Sequence, residues 1–125
     1  MTLDPRLRLK TQVLCGNDYA MGPGKAALLE AIASHGSISA AGRALGMSYR
    51  RTWLLADTLN RTWTGPLIAT AHGGKSGGGA TLTPLGHRVL ANYRALEAAL
   101  ADAAAGPATT LLADLATLPR TSQKS

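Results

Sequence analysis

Hydrophobic and polar residues first alternate and then recur at helical spacing, and the order of these patterns predicts the architecture. Leu7, Leu9, Thr11 and Val13 fall on one side of an extended segment and Arg8, Lys10 and Gln12 on the other, which predicts a half-buried strand over 7–13. Residues 16–24, rich in Gly, Asn, Asp and Pro, read as a loop. Leu28, Leu29, Ile32 and Ala33 then predict a first helix over 25–34, with Gly36 just past its end. Ser37 or Ser39 can cap a short second helix through Ala40, Ala41, Ala44 and Leu45 that Gly46 stops, and Ser48 caps a third helix running to Asn60 or Trp63. Two helices joined by a three-residue turn containing Gly form the helix-turn-helix pattern.

Within the third helix Tyr49, Trp53, Ala56, Leu59 or Asn60, and Trp63 share a side, so Trp53 reads as a core residue in preference to a base-stacking one. Arg50 and Arg51 occupy the first turn of the opposite face, against the helix dipole, a local cost that suits a place where a phosphate or base will sit. After Gly65-Pro66, residues 67–69 and 80–82 predict paired strands whose connecting tip, 73–79, is glycine-rich. Thr83 and Pro84 open a long helix predicted to end at Ala105, before Gly106-Pro107. Its stripe of Leu85, Val89, Tyr93, Leu96, Leu100 and Ala103 alternates spacings of four and three, the seam of a coiled-coil contact. At 1.5 Å per residue such a helix is roughly 30 Å long and overhangs a small domain, which predicts a homodimer. Packing back on its own domain, or pairing with a different protein, are the alternatives. Leu111, Leu112, Leu115 and Leu118 form a last short amphipathic piece. The organisation expected is a core over 1–83, dimerisation helices over 84–118 and a disordered tail over 119–125.

Composition narrows the class. The 125 residues include 23 Ala and 20 Leu against 5 Val and Ile together, with no Phe, so the fold is mainly α with a small β-hairpin. One cysteine, Cys15, excludes an intramolecular disulfide, and no apolar run is long enough to cross a bilayer, so a cytoplasmic location is expected. The net charge of +6 is concentrated in residues 43–94, which hold Arg43, Arg50, Arg51, Arg61, Lys75, Arg88 and Arg94 against Asp57 alone. An anionic partner follows, with nucleic acid first.

Enzymatic readings are poorly supported. Residues 69–76 meet a relaxed nucleotide-loop pattern, but Gly77, Gly78 and Gly79 cannot start the helix such a loop requires. Those glycines instead allow close backbone approach to a phosphate chain, with Lys75 adding charge and Ser76 a donor. His35, His72, His87 and Cys15 show no metal-ligand spacing, and Glu30 and Glu97 have no catalytic partner nearby in sequence. No enzyme and no metal site is expected.

Gly-Pro-Gly-Lys at 22–25, the run from Gly36 through Ser48-Tyr-Arg-Arg-Thr-Trp53, and the segment Gly73 to Gly86 together resemble the N-terminal DNA-binding domain of ModE-type molybdate-responsive transcription regulators. The resemblance covers about residues 7–118. It implies a bacterial winged helix-turn-helix related to that of LysR-type regulators, with a long C-terminal dimerisation helix. The domain is expected to dimerise and bind a palindromic operator on double-stranded DNA, often as a repressor of molybdate-uptake genes. Residues 48–52 would open the recognition helix, Trp53 would anchor it and 73–79 would form the wing. The DNA-contact set is Ser39, Arg43, Ser48, Tyr49, Arg50, Arg51, Thr52, Lys75 and Ser76, with Gly73, Gly74, Gly77, Gly78 and Gly79 in the wing. The dimer set is Leu85, Val89, Tyr93, Leu96, Leu100, Leu111 and Leu115. Full-length ModE proteins continue into molybdate-binding domains, and this sequence ends at Ser125, so a one-domain member without the sensor is expected. Molybdate or tungstate is then the effector to test. The alternative function is a small oxyanion- or metal-ligand-binding sensor acting through the glycine-rich loop or the dimer interface.

Overall fold

The computed structural model describes residues 3–71 and 79–122. The elements run in the order β1 (Val13–Cys15), β2 (Asp18–Met21), α1 (Pro23–His35), α2 (Ile38–Ala44), α3 (Tyr49–Arg61), β3 (Ile68–Thr70), β4 (Ala80–Leu82) and α4 (Pro84–Leu112). This is a mostly helical winged helix-turn-helix arrangement with two small antiparallel hairpins and a long C-terminal helix. The chain forms two compact units, residues 10–96, and residues 1–9 with 97–125. The division falls inside α4, whose Val89 and Tyr93 belong to the core of the first unit.

The predicted strand over 7–13 is displaced: among the described residues, 7–12 join no sheet, and β1 begins at Val13. Alternation makes a strand only where a partner exists, and the partner comes from the stretch read as a loop. Leu14 pairs with Tyr19 and Cys15 with Asp18, leaving Gly16-Asn17 as a two-residue turn. Gly16 has φ +59° and, among the described residues, no non-glycine residue has a positive φ, so Asn17 does not, the distribution of a II′ hairpin turn.

Helix α1 starts at Pro23, whose fixed φ and missing N–H suit a first helical position, and ends at Gly36 in the left-handed region with φ 71°. Its buried face of Ala26, Leu28, Leu29 and Ile32 forms the centre of the core with Met21, Leu59 and Leu67. Each such Leu or Ile contributes about 1.5–3 kcal/mol by leaving water. Ser37 caps α2 by accepting from the Ala40 N–H at 3.0 Å, and Ser48 caps α3 by accepting from the Arg51 N–H at 3.1 Å. The connection between these helices is Leu45–Ser48, one residue longer than expected, with Gly46 in the left-handed region and the Met47 N–H donating back to the Gly42 carbonyl.

Strands β3 and β4 pair as predicted, Ile68 with Leu82 and Thr70 with Ala80, and the Ala71 N–H adds a bond to the Gly79 carbonyl at 2.9 Å. The wing candidates Gly73, Gly74, Lys75, Ser76, Gly77 and Gly78 lie outside the described residues. Asn60 joins α3 to β3: its Oδ1 accepts from the N–H groups of Leu67 and Ile68, both at 2.9 Å, and its Nδ2 donates to the Ile68 carbonyl. Thr83 accepts from the Gly86 N–H as the cap of α4 and donates to the Pro66 carbonyl.

Two expectations for α4 are corrected. The helix does not stop at Gly106-Pro107 but continues to Leu112. A proline inside a helix forfeits one backbone bond; the carbonyl that Pro107 frees is that of Ala103, an exposed residue, so it can take water. Val89 and Tyr93, expected at a dimer interface, are buried against their own core, and the Tyr93 hydroxyl donates to the Thr11 carbonyl at 2.7 Å. Leu85 is half-buried against the same core, whereas Leu96, Leu100, Leu111 and Leu115 are exposed.

Candidate nucleic-acid interface

Helix α3 buries Thr52, Ala56 and Leu59, a stripe spaced four and three apart. Two expected roles change with that stripe. Thr52, expected to contact DNA, is only 1% exposed: its hydroxyl donates to the Ser48 carbonyl at 2.8 Å and its side chain fills the space over Gly42. Trp53, expected in the core, is 40% exposed, because it lies one residue off the buried stripe. Its ring meets that of Tyr49, itself 70% exposed, at a centroid separation of 6.1 Å and a tilt of 57°. Trp63 takes the anchoring role instead, half-buried with its indole N–H donating to the Ala20 carbonyl at 3.1 Å.

The rest of α3 presents charge. Arg50 and Arg51 are exposed in a first turn that holds no acidic residue, so nothing on the helix offsets their opposition to its dipole. Among the described residues, Arg43, Arg50 and Arg51 have no acidic partner, while Arg61 is paired with Asp57 at 2.8 Å and Arg94 with Glu30 of α1. The positive segment seen in the sequence therefore resolves into cations with and without an acidic partner: of the latter, Arg43, Arg50 and Arg51 lie on α2 and the start of α3, and Arg88 lies on α4. On one flank Lys25, in the first turn of α1, joins them: partial burial first, then the charge of Arg51, lowers its pKa, against the opposing influence of Asp18. Cations held this close favour an anion between or beside them.

On the other flank, Trp53 lines a groove of about 320 Å³ with Ser37, Ile38 and Ser39 from the start of α2, and with Thr70, Ala71, Gly79 and Ala80 at the base of the β3–β4 hairpin. Of the residues expected to contact DNA, the structure thus gathers Ser39, Arg43, Ser48, Tyr49, Arg50 and Arg51 on and around the helix-turn-helix. It sets Thr52 inside, and Lys75 and Ser76 fall outside the described residues. Trp53, Lys25 and the exposed Leu54 were not in the expected set. A helical projection centred on Thr52, Ala56 and Leu59 would have placed Trp53 outside.

Among the described residues no group of His, Cys, Asp or Glu is arranged to hold a metal ion, and no helix is long and apolar enough to cross a membrane. No family model matches the chain. It is 47% identical over 81 residues to the molybdenum-pterin-binding protein MopB of Rhodobacter capsulatus, covering 65% of this chain and 30% of that protein. It is 42% identical over 92 residues to the molybdenum transport protein ModE of Azotobacter vinelandii, covering 74% of this chain and 33% of that protein. Over 71 residues it is 39% identical to the DNA-binding transcriptional dual regulator ModE of Escherichia coli (strain K12), covering 57% of this chain and 27% of that protein. The chain spans about a third of the length of the curated relatives it matches. These relatives bear out the resemblance read from the sequence.

Proposed function

With the similarity to ModE-type proteins as premise, we propose that this chain is a sequence-specific DNA-binding transcription regulator that acts as a homodimer on genes related to molybdate or tungstate. The observation that carries the reading is the exposed first turn of α3, where Arg50 and Arg51 stand without acidic partners beside a helix-turn-helix connection and a hairpin. A helix of this kind fits the major groove, which is about 12 Å wide and carries a distinct donor and acceptor pattern for each base pair. Arg50 and Arg51 reach base edges or phosphates, and Lys75, argued from the sequence alone, grips the backbone. The exposed leucines Leu96, Leu100, Leu111 and Leu115 support pairing of two copies through α4 and the residues after it. A two-fold dimer would read a palindromic site.

Selection of bound duplexes from a random pool, with and without molybdate or tungstate, tests the reading. A recurring palindrome is the expected result, and recovery of unenriched sequence rejects it. The names of two relatives, molybdenum-pterin-binding proteins of Rhodobacter capsulatus, favour a second reading in which a molybdenum oxyanion or its complex is the ligand. Calorimetric titration of the DNA-free protein with molybdate and tungstate separates the two: absence of heat and of thermal stabilisation removes the second.

A further inference from the structure

A tryptophan and a tyrosine left together in water on a helix whose first turn also holds two arginines require an explanation, because the same positions filled by polar residues would cost the monomer nothing. Tyr49 and Trp53 sit one turn apart on α3, with rings in contact, and Arg50 is on the adjacent exposed strip. Trp53 also lines the groove between the start of α2 and the base of the β3–β4 hairpin, where Ala71, Gly79 and Ala80 are small. The patch is therefore aromatic, and beside it in the first turn of the same helix stand Arg50 and Arg51, exposed and without acidic partners among the described residues.

An exposed aromatic pair beside positive charge fits a polyanion that carries a few apolar groups at fixed places. Double-stranded DNA is such a molecule: in the major groove its one apolar group is the 5-methyl of thymine, which side chains read by contact rather than by hydrogen bonding. We propose that Tyr49 and Trp53 form a thymine-reading surface, with one or both rings packed on thymine methyl groups in each half-site while Arg50 and Arg51 hold the surrounding base edges and phosphates. The inference rests on the DNA-binding reading above and adds to it a specificity: the aromatic pair selects for thymine, and the arginines alone do not.

The test uses the full chain and one duplex recovered by selection. Each thymine in turn is replaced by deoxyuridine, which keeps the base pairing and removes only the methyl group. At one or more positions in each half-site the substitution is expected to weaken binding about fourfold, the factor for one buried methyl-sized group. Trp53→Ala or Tyr49→Ala should erase that penalty at the same positions while leaving affinity for random-sequence DNA within about twofold. Tyr49→Ala provides the answer if Trp53→Ala fails to fold, since the Tyr49 ring is mostly in water. Equal affinity of the wild type for every deoxyuridine duplex overturns the inference and leaves the DNA-binding reading intact, as does a penalty that persists in both variants. Failure to recover any duplex overturns the DNA-binding reading, and the inference with it.

Discussion

Gly42 of α2 and Thr52 of α3 occupy one another's space: a Cβ built on Gly42 would lie 2.1 Å from the Thr52 hydroxyl oxygen and 2.7 Å from its methyl group. The helices α2 and α3 thus cross with no room for a side chain on one of them. The crossing fixes how far α3, and with it Arg50, Tyr49 and Trp53, projects from the core. Gly86 and Leu67 stand in the same relation, with a Cβ on Gly86 falling 2.2 Å from the Leu67 carbonyl oxygen. These glycines are needed for close approach and not for a left-handed backbone.

Gly42→Ala is therefore expected to destabilise the protein by about 1–3 kcal/mol, the usual cost of forcing a methyl group into a filled core. In a domain of this size that lowers the melting temperature by roughly 4–20 °C. Thermal melts read it directly; a melt within 2 °C of wild type would mean the helices can move apart at little cost.

Asn60 supplies three bonds to the backbone at the start of β3, two of them to N–H groups of buried residues. Asn60→Ala leaves those donors unsatisfied, at about 1–3 kcal/mol for each group. The expected stability loss exceeds about 2 kcal/mol, with Asn60→Asp intermediate because it keeps the two acceptor bonds and loses the donor. Chemical denaturation ranks the three proteins, and equal midpoints for the alanine and wild-type proteins would contradict the role.

Ser48→Ala removes the acceptor for the Arg51 N–H and should cost about 0.5–2 kcal/mol, with Ser48→Gly costing less. The same change frays the first turn of α3, so the loss in DNA affinity should exceed what stability alone explains. Comparing Ser48→Ala with Ser37→Ala, which uncaps α2 instead, isolates that contribution; identical DNA affinities for the two variants would count against it.

Asp4 is held at a pKa of about 2, below its ordinary 3.8, mainly because the Arg6 side chain and backbone N–H donate to its carboxylate. The folded value lies below the unfolded one, so the interaction is fully present above the ordinary carboxylate range and is lost as pH falls through about 2. Both partners are exposed, so the effect belongs in a titration and not in a melt. Side-chain carboxyl chemical shifts followed against pH should give a midpoint near 2 in the wild type and near 3.8 in Arg6→Ala. A common midpoint in the two proteins would remove the pairing.

Much of this was legible in the order of residues. Caps and stops declare themselves chemically, and Ser37, Ser48, Gly36, Thr83 and Pro84 all act where their types predict. The hairpin at Gly16-Asn17 was hidden because turn residues and loop residues are the same residues, and only the pairing across them tells which is meant. Size suggests burial for Trp53, whereas it is the smaller Thr52 that fits the tight approach to Gly42 that the crossing demands. The α4 stripe was read as one seam, but its first part is claimed by the core through Val89 and Tyr93. The set of arginines without acidic partners is only partly legible in the sequence, since which arginines are neutralised depends on Asp57 one turn away and on Glu30 far off in sequence.

The central claim is that the first turn of α3 reads DNA, and the most direct measurement compares wild type with Arg50→Ala/Arg51→Ala on a selected duplex and a scrambled one over a range of salt. Both arginines are exposed and unpaired with acids, so the variant should fold normally by circular dichroism. The account predicts at least about tenfold weaker binding to the selected duplex. It also predicts a log K against log salt slope shallower by about 0.9 for each arginine that holds a phosphate. A folded double variant with wild-type affinity and slope on the selected duplex would contradict it.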